Sequence, residues 1–408
     1  MVSSAEPRAE GMNSRGLYMK VLILGLGQQG RAALYHLASS PAVGEITAAD
    51  SNLERAEVYA ERFGGGKARC VRLDAGDHDA VLELMSSGVA VVIDLLPVYF
   101  TEVMAALALE AGVHLVNTCY ASEEVLKLDA ETARKGVAIL PEFGMDPGID
   151  LVMGARAVRE LDEVQELYSY GGGFPEPEAA DNPIRYKISW TFDGVLTSYK
   201  RPARILKDGQ VAHIPATEIF AEQNVHTVHM DGLGELEAIP NGDALRYIDL
   251  FGLGRSLRAM GRFSLRWPGH CAFWKKLVDL RFLDDEPIMV GLAEVVPREF
   301  LYSILEPQLQ YGENERDVAF IRVDARGLRA GRRTRIVYDL IDYRDLSTGL
   351  MAMNRTVGFT ASIGAQMIVR GDIKRRGVLS PARDVDGDVF LGELRKCEMR
   401  ISRSEEPW

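Results

Sequence analysis

Short apolar runs alternate with helical stretches through the first third of the chain, and then the alternation stops. The runs stand at 19–24, 45–49, 68–73, 90–95, 113–117 and 137–140, and are rich in β-branched residues. Helical stretches fill the intervals at 31–38, 53–63, 78–86, 100–111 and 122–135. Uninterrupted apolar strands, each followed by a helix, predict a parallel sheet covered on both faces. Right-handed crossovers bring the strand C-termini to one edge, where ligands bind in open α/β sheets. Three segments are expected there besides the first turn: Asp94-Leu95-Leu96-Pro97, Asn117-Thr118-Cys119-Tyr120, and Glu142 through Gly148.

From about residue 150 the pattern turns antiparallel. Its clearest part is a hairpin, 317–326 against 333–343, turning through the polar stretch 327–332. Helices are expected at 149–160, 270–279 and 298–308. The stretch 171–183, Gly-Gly-Gly-Phe-Pro-Glu-Pro-Glu-Ala-Ala-Asp-Asn-Pro, reads as a surface loop, because glycine and proline oppose both helix and central strand. An amphipathic helix over 354–369, ended by Gly371, is placed to return over the first domain. The expected division is a disordered extension at 1–18, a nucleotide-binding domain at 19–148 completed by about 354–385, a second domain at 149–353, and a tail at 386–408.

The first strand runs into Gly25-Leu-Gly-Gln-Gln-Gly30, and Asp50 ends the next strand twenty residues past the last glycine. This is a full dinucleotide-binding arrangement, in which each residue type has its own task. Gly25 permits the tight turn, Gly27 leaves room for a pyrophosphate at the helix N-terminus, and Gly30 lets that helix approach the sheet. Asp50 can accept hydrogen bonds from both ribose hydroxyls and would repel a 2′-phosphate, so the cofactor read from these residues is NAD(H). Arg55, one helical turn on, is the one residue placed to offset it. The cofactor contacts expected along the edge are Gly25, Gly27, Gln28, Gln29, Gly30, Asp50, Asp74, Leu95, Leu96, Pro97, Thr118, Gly144 and Met145.

Length and charge narrow the class. A chain of 408 residues suits two domains. A net charge of −12 argues against nucleic acid or an anionic membrane as a partner. The four cysteines, Cys70, Cys119, Cys271 and Cys397, are scattered without metal-ligand spacing, so neither a disulfide framework nor a metal site is expected. No run reaches the ~18 apolar residues of a membrane helix, and residues 1–18 lack the apolar core of a secretion signal. A cytoplasmic enzyme is the expectation.

Several stretches carry a resemblance: Asn117-Thr-Cys-Tyr-Ala-Ser, Glu142-Phe-Gly-Met-Asp-Pro-Gly-Ile-Asp, Ser169-Tyr-Gly-Gly-Gly-Phe-Pro-Glu-Pro-Glu and Asp181-Asn-Pro-Ile-Arg-Tyr-Lys-Ile-Ser-Trp. From Met19 to about Glu398 the chain resembles the saccharopine dehydrogenase family. These stretches look like the glutamate-forming saccharopine reductases, while 301–378 look more like lysine 6-dehydrogenase. The resemblance implies an α/β fold, with a Rossmann doubly wound parallel sheet and a second, α+β domain on a mostly antiparallel sheet, assembled as a homodimer. It moves the 171–183 loop to the border of an active site. It also implies a reaction: hydride leaves a nitrogen-bearing carbon for the nicotinamide, and the imine is hydrolysed to aldehyde and amine, or the reverse.

By the same resemblance, Cys119, Tyr120, Asp146 and Arg266 hold an amino-acid substrate. Arg266 suits this because its planar guanidinium can bind a carboxylate through two hydrogen bonds. Asp146, Tyr120, Lys187 and Glu142 are all open as proton-transfer groups by residue type. One departure stands out. Family reductases have Pro-Asn-Arg-Asp where this chain has Pro240-Asn-Gly242-Asp, with Arg246 as the nearest replacement. The lysine 6-dehydrogenase branch, for its part, lacks the aspartate at Asp146. The substrate is therefore left among saccharopine, lysine and a carboxylated polyamine such as carboxynorspermidine. A non-catalytic NAD-binding sensor is the alternative of another class.

Overall fold

The computed structural model describes residues 18–408; the extension expected at 1–18 lies outside them except for Tyr18. The chain divides into two compact units, one holding the residues up to Pro147 with Val357–Asp386, the other Gly148–Thr356 with Gly387–Trp408.

In the first unit the elements follow in order as β1 (Met19–Leu24), α1 (Gln28–Ser39), β2 (Val43–Asp50), α2 (Leu53–Phe63), β3 (Ala68–Arg72), α3 (His78–Met85), β4 (Val91–Asp94), α4 (Thr101–Ala111), β5 (His114–Asn117), α5 (Glu123–Lys127), α6 (Asp129–Arg134) and β6 (Ala138–Leu140). Six strands are parallel in the order β6-β5-β4-β1-β2-β3, so the winding reverses between β1 and β4. This is the doubly wound order, and β1 ends at the reversal with the glycine turn. Leu22, Leu24, Val92, Leu115 and Ile139 are almost fully buried in its core.

The second unit begins with α7 (Ile149–Arg159), β7 (Glu163–Pro175), α8 (Phe192–Ser198), β8 (Ala203–Lys207), β9 (Gln210–Ile214), β10 (His226–Met230), β11 (Gly234–Pro240), β12 (Ala259–Arg266) and α9 (His270–Asp279). It continues through β13 (Ile288–Val290), β14 (Ala293–Val295), α10 (Pro297–Leu305), β15 (Asp317–Arg329) and β16 (Arg332–Tyr343). Next come α11 (Ala352–Arg370), most of which belongs to the first unit, and β17 (Gly377–Val378), which adds a seventh parallel strand beside β6. The chain closes with α12 (Pro381–Asp384), α13 (Gly387–Lys396) and β18 (Arg400–Pro407). The sheet of the second unit runs β10-β11-β12-β7-β15-β16-β18, with β8 and β9 attached at β12. Only the β12–β7 pairing in it is parallel.

Three expectations need correction. Gly171–Gly173 are not a surface loop but part of β7, a central strand of thirteen residues. A Cβ on Gly172 would stand 2.8 Å from the Leu265 carbonyl oxygen, and one on Gly173 2.4 Å from Met353 Cγ. The glycines are there because neighbours approach too closely for side chains, a context that local propensity does not carry. The segment after Asp386 is not a loose tail either, since α13 and β18 belong to the second unit and β18 pairs with β16. The hairpin is tighter than expected: Ala330 and Gly331 alone make the turn, with φ of 49° and 75°, the two positive values of a type I′ turn.

Within the first unit α11 packs closely on α1. A Cβ on Gly358 would lie 2.5 Å from the Gln29 carbonyl oxygen, and His36 and Ser40 hydrogen-bond Ser362 and Gln366 at 2.7 and 2.6 Å.

Candidate active site

The glycine turn is shaped to receive a dinucleotide. Gly25 has φ of 89°, and a Cβ there would lie 2.9 Å from the Leu95 carbonyl oxygen. At Gly30 a Cβ would overlap the Gly25 carbonyl oxygen at 2.1 Å. Gly27 is the contrast: its Cβ would meet nothing within 4 Å. That open space faces a helix whose N-terminus has no side-chain cap, which fits a pyrophosphate held by backbone N–H groups.

Asp50 is buried, and its carboxylate is more occupied than its position in sequence suggests. Oδ2 accepts from Leu26 N at 2.7 Å and Oδ1 from Asn52 N at 2.8 Å. Arg55 Nη2 reaches both oxygens, at 2.9 and 3.0 Å. The Arg55 side chain remains 44% exposed, so the pair sits at the rim with the arginine outermost.

A chain of hydrogen bonds ties the neighbouring loops together. Asp94, almost fully buried at the end of β4, accepts from Leu96 N at 3.1 Å and from Asn117 Nδ2 at 2.6 Å. Burial pushes its carboxyl up to about 6, against the pull of those two donors. Asn117 Oδ1 in turn accepts from Cys119 N at 2.6 Å. The Cys119 carbonyl accepts from Glu142 N, and the Asn117 carbonyl from Phe143 N. Thr118 Cβ stands 3.2 Å from where a Gly144 side chain would start. Leu96, Thr118, Cys119, Glu142 and Gly144 are thus gathered at one edge. Asp94 and Asn117 head two of the segments expected at this edge but were assigned no role of their own, and only the adjacency of β4 and β5 reveals the link.

The expected residues differ in what they can do. Glu142 is buried with φ of 59°, an unusual backbone state for a glutamate and of a kind that clusters at functional sites. Asp146 and Tyr120 are half-buried. Burial pushes the Cys119 thiol up to about 11, so it is neutral. Gln29 is half-buried, Gln28, Asp74 and Pro97 are exposed, and Asp74 turns its carboxylate onto Gly76 N. Met145 is buried as a core residue.

In the second unit, Lys187 is buried between Glu315 and Asp181, with Nζ at 2.6 and 2.9 Å from their oxygens. Burial works against its charge, but the two carboxylates prevail and raise its pKa. A lysine held charged in this way is no proton acceptor. Gly242 has φ of 66°, and a Cβ there would approach Arg201 Cδ at 3.6 Å. Arg201, rather than Arg246, therefore stands beside the missing arginine's position; Arg246 is exposed with its guanidinium over the Tyr247 ring.

Arg266 ends β12 and is 6% exposed. Its Nε donates to the Tyr199 hydroxyl at 3.3 Å and its Nη1 to the Leu265 carbonyl at 2.8 Å. The Tyr186 ring lies 5.2 Å from Cζ. Glu237, its neighbour in register on β11, instead accepts from Gly269 N and Cys271 N at the start of α9. Among the described residues no carboxylate pairs with Arg266.

Comparison with known proteins places this geometry. Residues 144–399 match the saccharopine dehydrogenase C-terminal domain, and residues 21–140 the saccharopine dehydrogenase NADP binding domain. The chain belongs to the saccharopine dehydrogenase family. Members of the family are oxidoreductases that act on CH–NH bonds with a pyridine nucleotide. The mouse mitochondrial alpha-aminoadipic semialdehyde synthase is 27% identical over 91% of this chain, and the chain spans 46% of that protein. It spans 96% of the saccharopine dehydrogenase [NADP(+), L-glutamate-forming] of Pyricularia oryzae, at 27% identity over 92% of its own length. The carboxyaminopropylagmatine dehydrogenase of Synechocystis is 25% identical over 92% of this chain and 95% of that protein. Among solved structures, apo saccharopine dehydrogenase (L-Glu forming) from Saccharomyces cerevisiae matches with a TM-score of 0.83 and 25% identity, covering 95% of this chain and all of that one. The expected fold, a doubly wound parallel sheet with a second mixed-sheet domain, is the one observed. Among the described residues no helix is long and apolar enough to cross a membrane.

Proposed function

We propose that the chain is an NAD(H)-dependent oxidoreductase of the saccharopine dehydrogenase type. It oxidises the C–N bond of a carboxylate-bearing secondary amine of the saccharopine kind, or forms that bond by reductive condensation. The observation that carries this reading is Arg266. Burying a cation without a counter-charge costs several kcal/mol, and a guanidinium fork is matched best by a carboxylate. A substrate that supplies the carboxylate completes the pocket. The name of the Synechocystis relative leaves a carboxylated polyamine as the second candidate.

A nicotinamide cofactor bound at the glycine turn would supply the hydride acceptor for the carbon beside the substrate nitrogen. The remaining work falls to side chains. Arg266 is the carboxylate anchor proposed in the second unit, and Cys119 and Tyr120 are the substrate contacts proposed in the first. Asp146 steadies the positive charge that develops on nitrogen. With Lys187 held charged in its ion pairs, the groups open as proton acceptors are Glu142, Tyr120 and Asp146. For the cofactor, Asp50 is fixed by Leu26 and Asn52 to meet ribose hydroxyls, and a 2′-phosphate would have to draw Arg55 away from it. One observation favours NADP(H) instead: Arg55 neutralises Asp50, and the matched domain and fungal relatives carry NADP in their names.

The test is NADH fluorescence on mixing enzyme and NAD+ with saccharopine, lysine or carboxynorspermidine at alkaline pH. Turnover of saccharopine is expected, and an Asp146→Asn variant should lose at least ~10-fold in kcat. Cofactor binding without turnover of any of the three would favour the sensor alternative. Unchanged kcat in the variant would remove Asp146 from its role. We also propose a cytoplasmic homodimer, with the apolar, exposed hairpin β13–β14 (Ile288, Met289, Val290, Leu292) as the element it buries. A monomer in sedimentation velocity at micromolar concentration would exclude the dimer.

A further inference from the structure

Arg266 is oriented by two buried residues that family motifs and sequence left unassigned. His270, the first residue of α9, is 1% exposed, and its Nε2 lies 2.7 Å from the Tyr199 hydroxyl. Tyr199 caps the C-terminus of α8, is 3% exposed, and receives the Arg266 Nε–H at 3.3 Å.

The directions then follow one from another. The guanidinium can only donate, so the Tyr199 oxygen accepts from it, and the buried Tyr199 hydroxyl proton needs an acceptor of its own, which His270 Nε2 provides. Tyr199 must give its hydroxyl proton to Nε2, which turns its oxygen lone pairs toward Arg266. Burial, reinforced by the nearby guanidinium, holds the imidazole well below its usual range, so it is neutral. A carboxylate in this position would hold Arg266 just as firmly but would cancel its charge.

We infer that His270 and Tyr199 are positioning residues that fix the Arg266 guanidinium through neutral hydrogen bonds and leave its positive charge for a ligand carboxylate. The inference rests on Arg266 as the substrate anchor proposed above, and deepens it by giving the pocket a reason to be selective for anions. An α-carboxylate or side-chain carboxylate of an amino acid meets a pre-aimed cation, so little ordering is left to binding.

Calorimetric titration of the full chain with L-glutamate, loaded with NAD+, separates the two claims. Wild type should bind, Arg266→Met should not, and Tyr199→Phe should bind about 10- to 100-fold more weakly, as expected for one hydrogen bond to a charged group. The double variant should lose no more than Arg266→Met alone. In turnover, Tyr199→Phe should raise KM for the amino-acid substrate by a similar factor, with kcat and the KM for NAD+ within about twofold, a split that general destabilisation does not produce. Wild type that binds no carboxylate would overturn the Arg266 reading. Wild type that binds, with Tyr199→Phe equal to it, would overturn the relay alone. Independently, long-range 1H–15N spectra should show His270 neutral and protonated at Nδ1; a charged ring or an Nε2–H tautomer would overturn the relay whatever the variants do.

Discussion

A single side chain can carry a meaning that its sequence position only half conveys. Asp50 illustrates this, since its place after β2 signals a ribose acceptor, yet its oxygens also receive two backbone N–H groups and the Arg55 guanidinium. With the carboxylate fixed and the arginine outermost, NAD+ is expected to be preferred over NADP+ in kcat/KM. Removing the charge with Asp50→Ser should release Arg55 for a 2′-phosphate and move the ratio toward NADP+ by ~10-fold or more, the scale of a charge-assisted hydrogen bond. A wild-type preference for NADP+ would overturn the first statement, and a ratio unmoved by the substitution the second. Arg266 teaches the complementary lesson. Its residue type was legible as a carboxylate partner, but its lack of an acidic partner was not, because Glu237 stands beside it in register and is engaged elsewhere.

At the scale of elements, regular periodicity was read well and close approach was not. The helices α7, α9 and α11 and the long hairpin follow their patterns. The glycine run in β7 does not, because its reason lies on other strands and helices: Leu265 on one side and Met353 on the other. Gly172→Ala is therefore expected to destabilise by about 1–3 kcal/mol, since the contact it meets is backbone and cannot turn away. The same substitution pushes on Leu265, next to Arg266, so KM for the amino-acid substrate should rise with it. Urea unfolding and steady-state kinetics on the variant check both, and wild-type values in each would refute the packing argument. The two short helices α5 and α6, expected as one, part at Leu128. The two-residue strand β17 had no signal of its own.

For the whole molecule, two buried carboxylates set a trend with pH. Burial raises Asp94 to about 6 and Asp317 to about 7, the latter despite hydrogen bonds from Ala352 N and Met353 N at the start of α11. Both are raised above their unfolded value, so the folded state binds the proton more tightly. Their contribution to stability is fully present below about 3.8 and is lost as pH rises through 6 and 7. Wild type should therefore lose stability relative to Asp317→Asn between pH 5 and 8, with a slope of at most ~1.4 kcal/mol per pH unit from this group. Denaturant midpoints of the two proteins that run parallel across that interval would contradict it.

By itself the sequence determined the class of the fold, the nucleotide turn and the acid that follows it, because these depend on periodicity and on spacings of a few tens of residues. It also carried the family through motifs at 117–122, 142–150, 169–178 and 181–190. What the tertiary structure decided were the relations between distant segments. Lys187 became a fixed charge because residues 181 and 315 flank it, Asp94 joined two loops because β4 lies beside β5, and Arg266 stayed unneutralised because Tyr199, itself held by His270, and not an acid, reaches it. Partners brought together by folding leave no regular spacing along a chain, and the charge state of a buried group is set by those partners and by the loss of water around it.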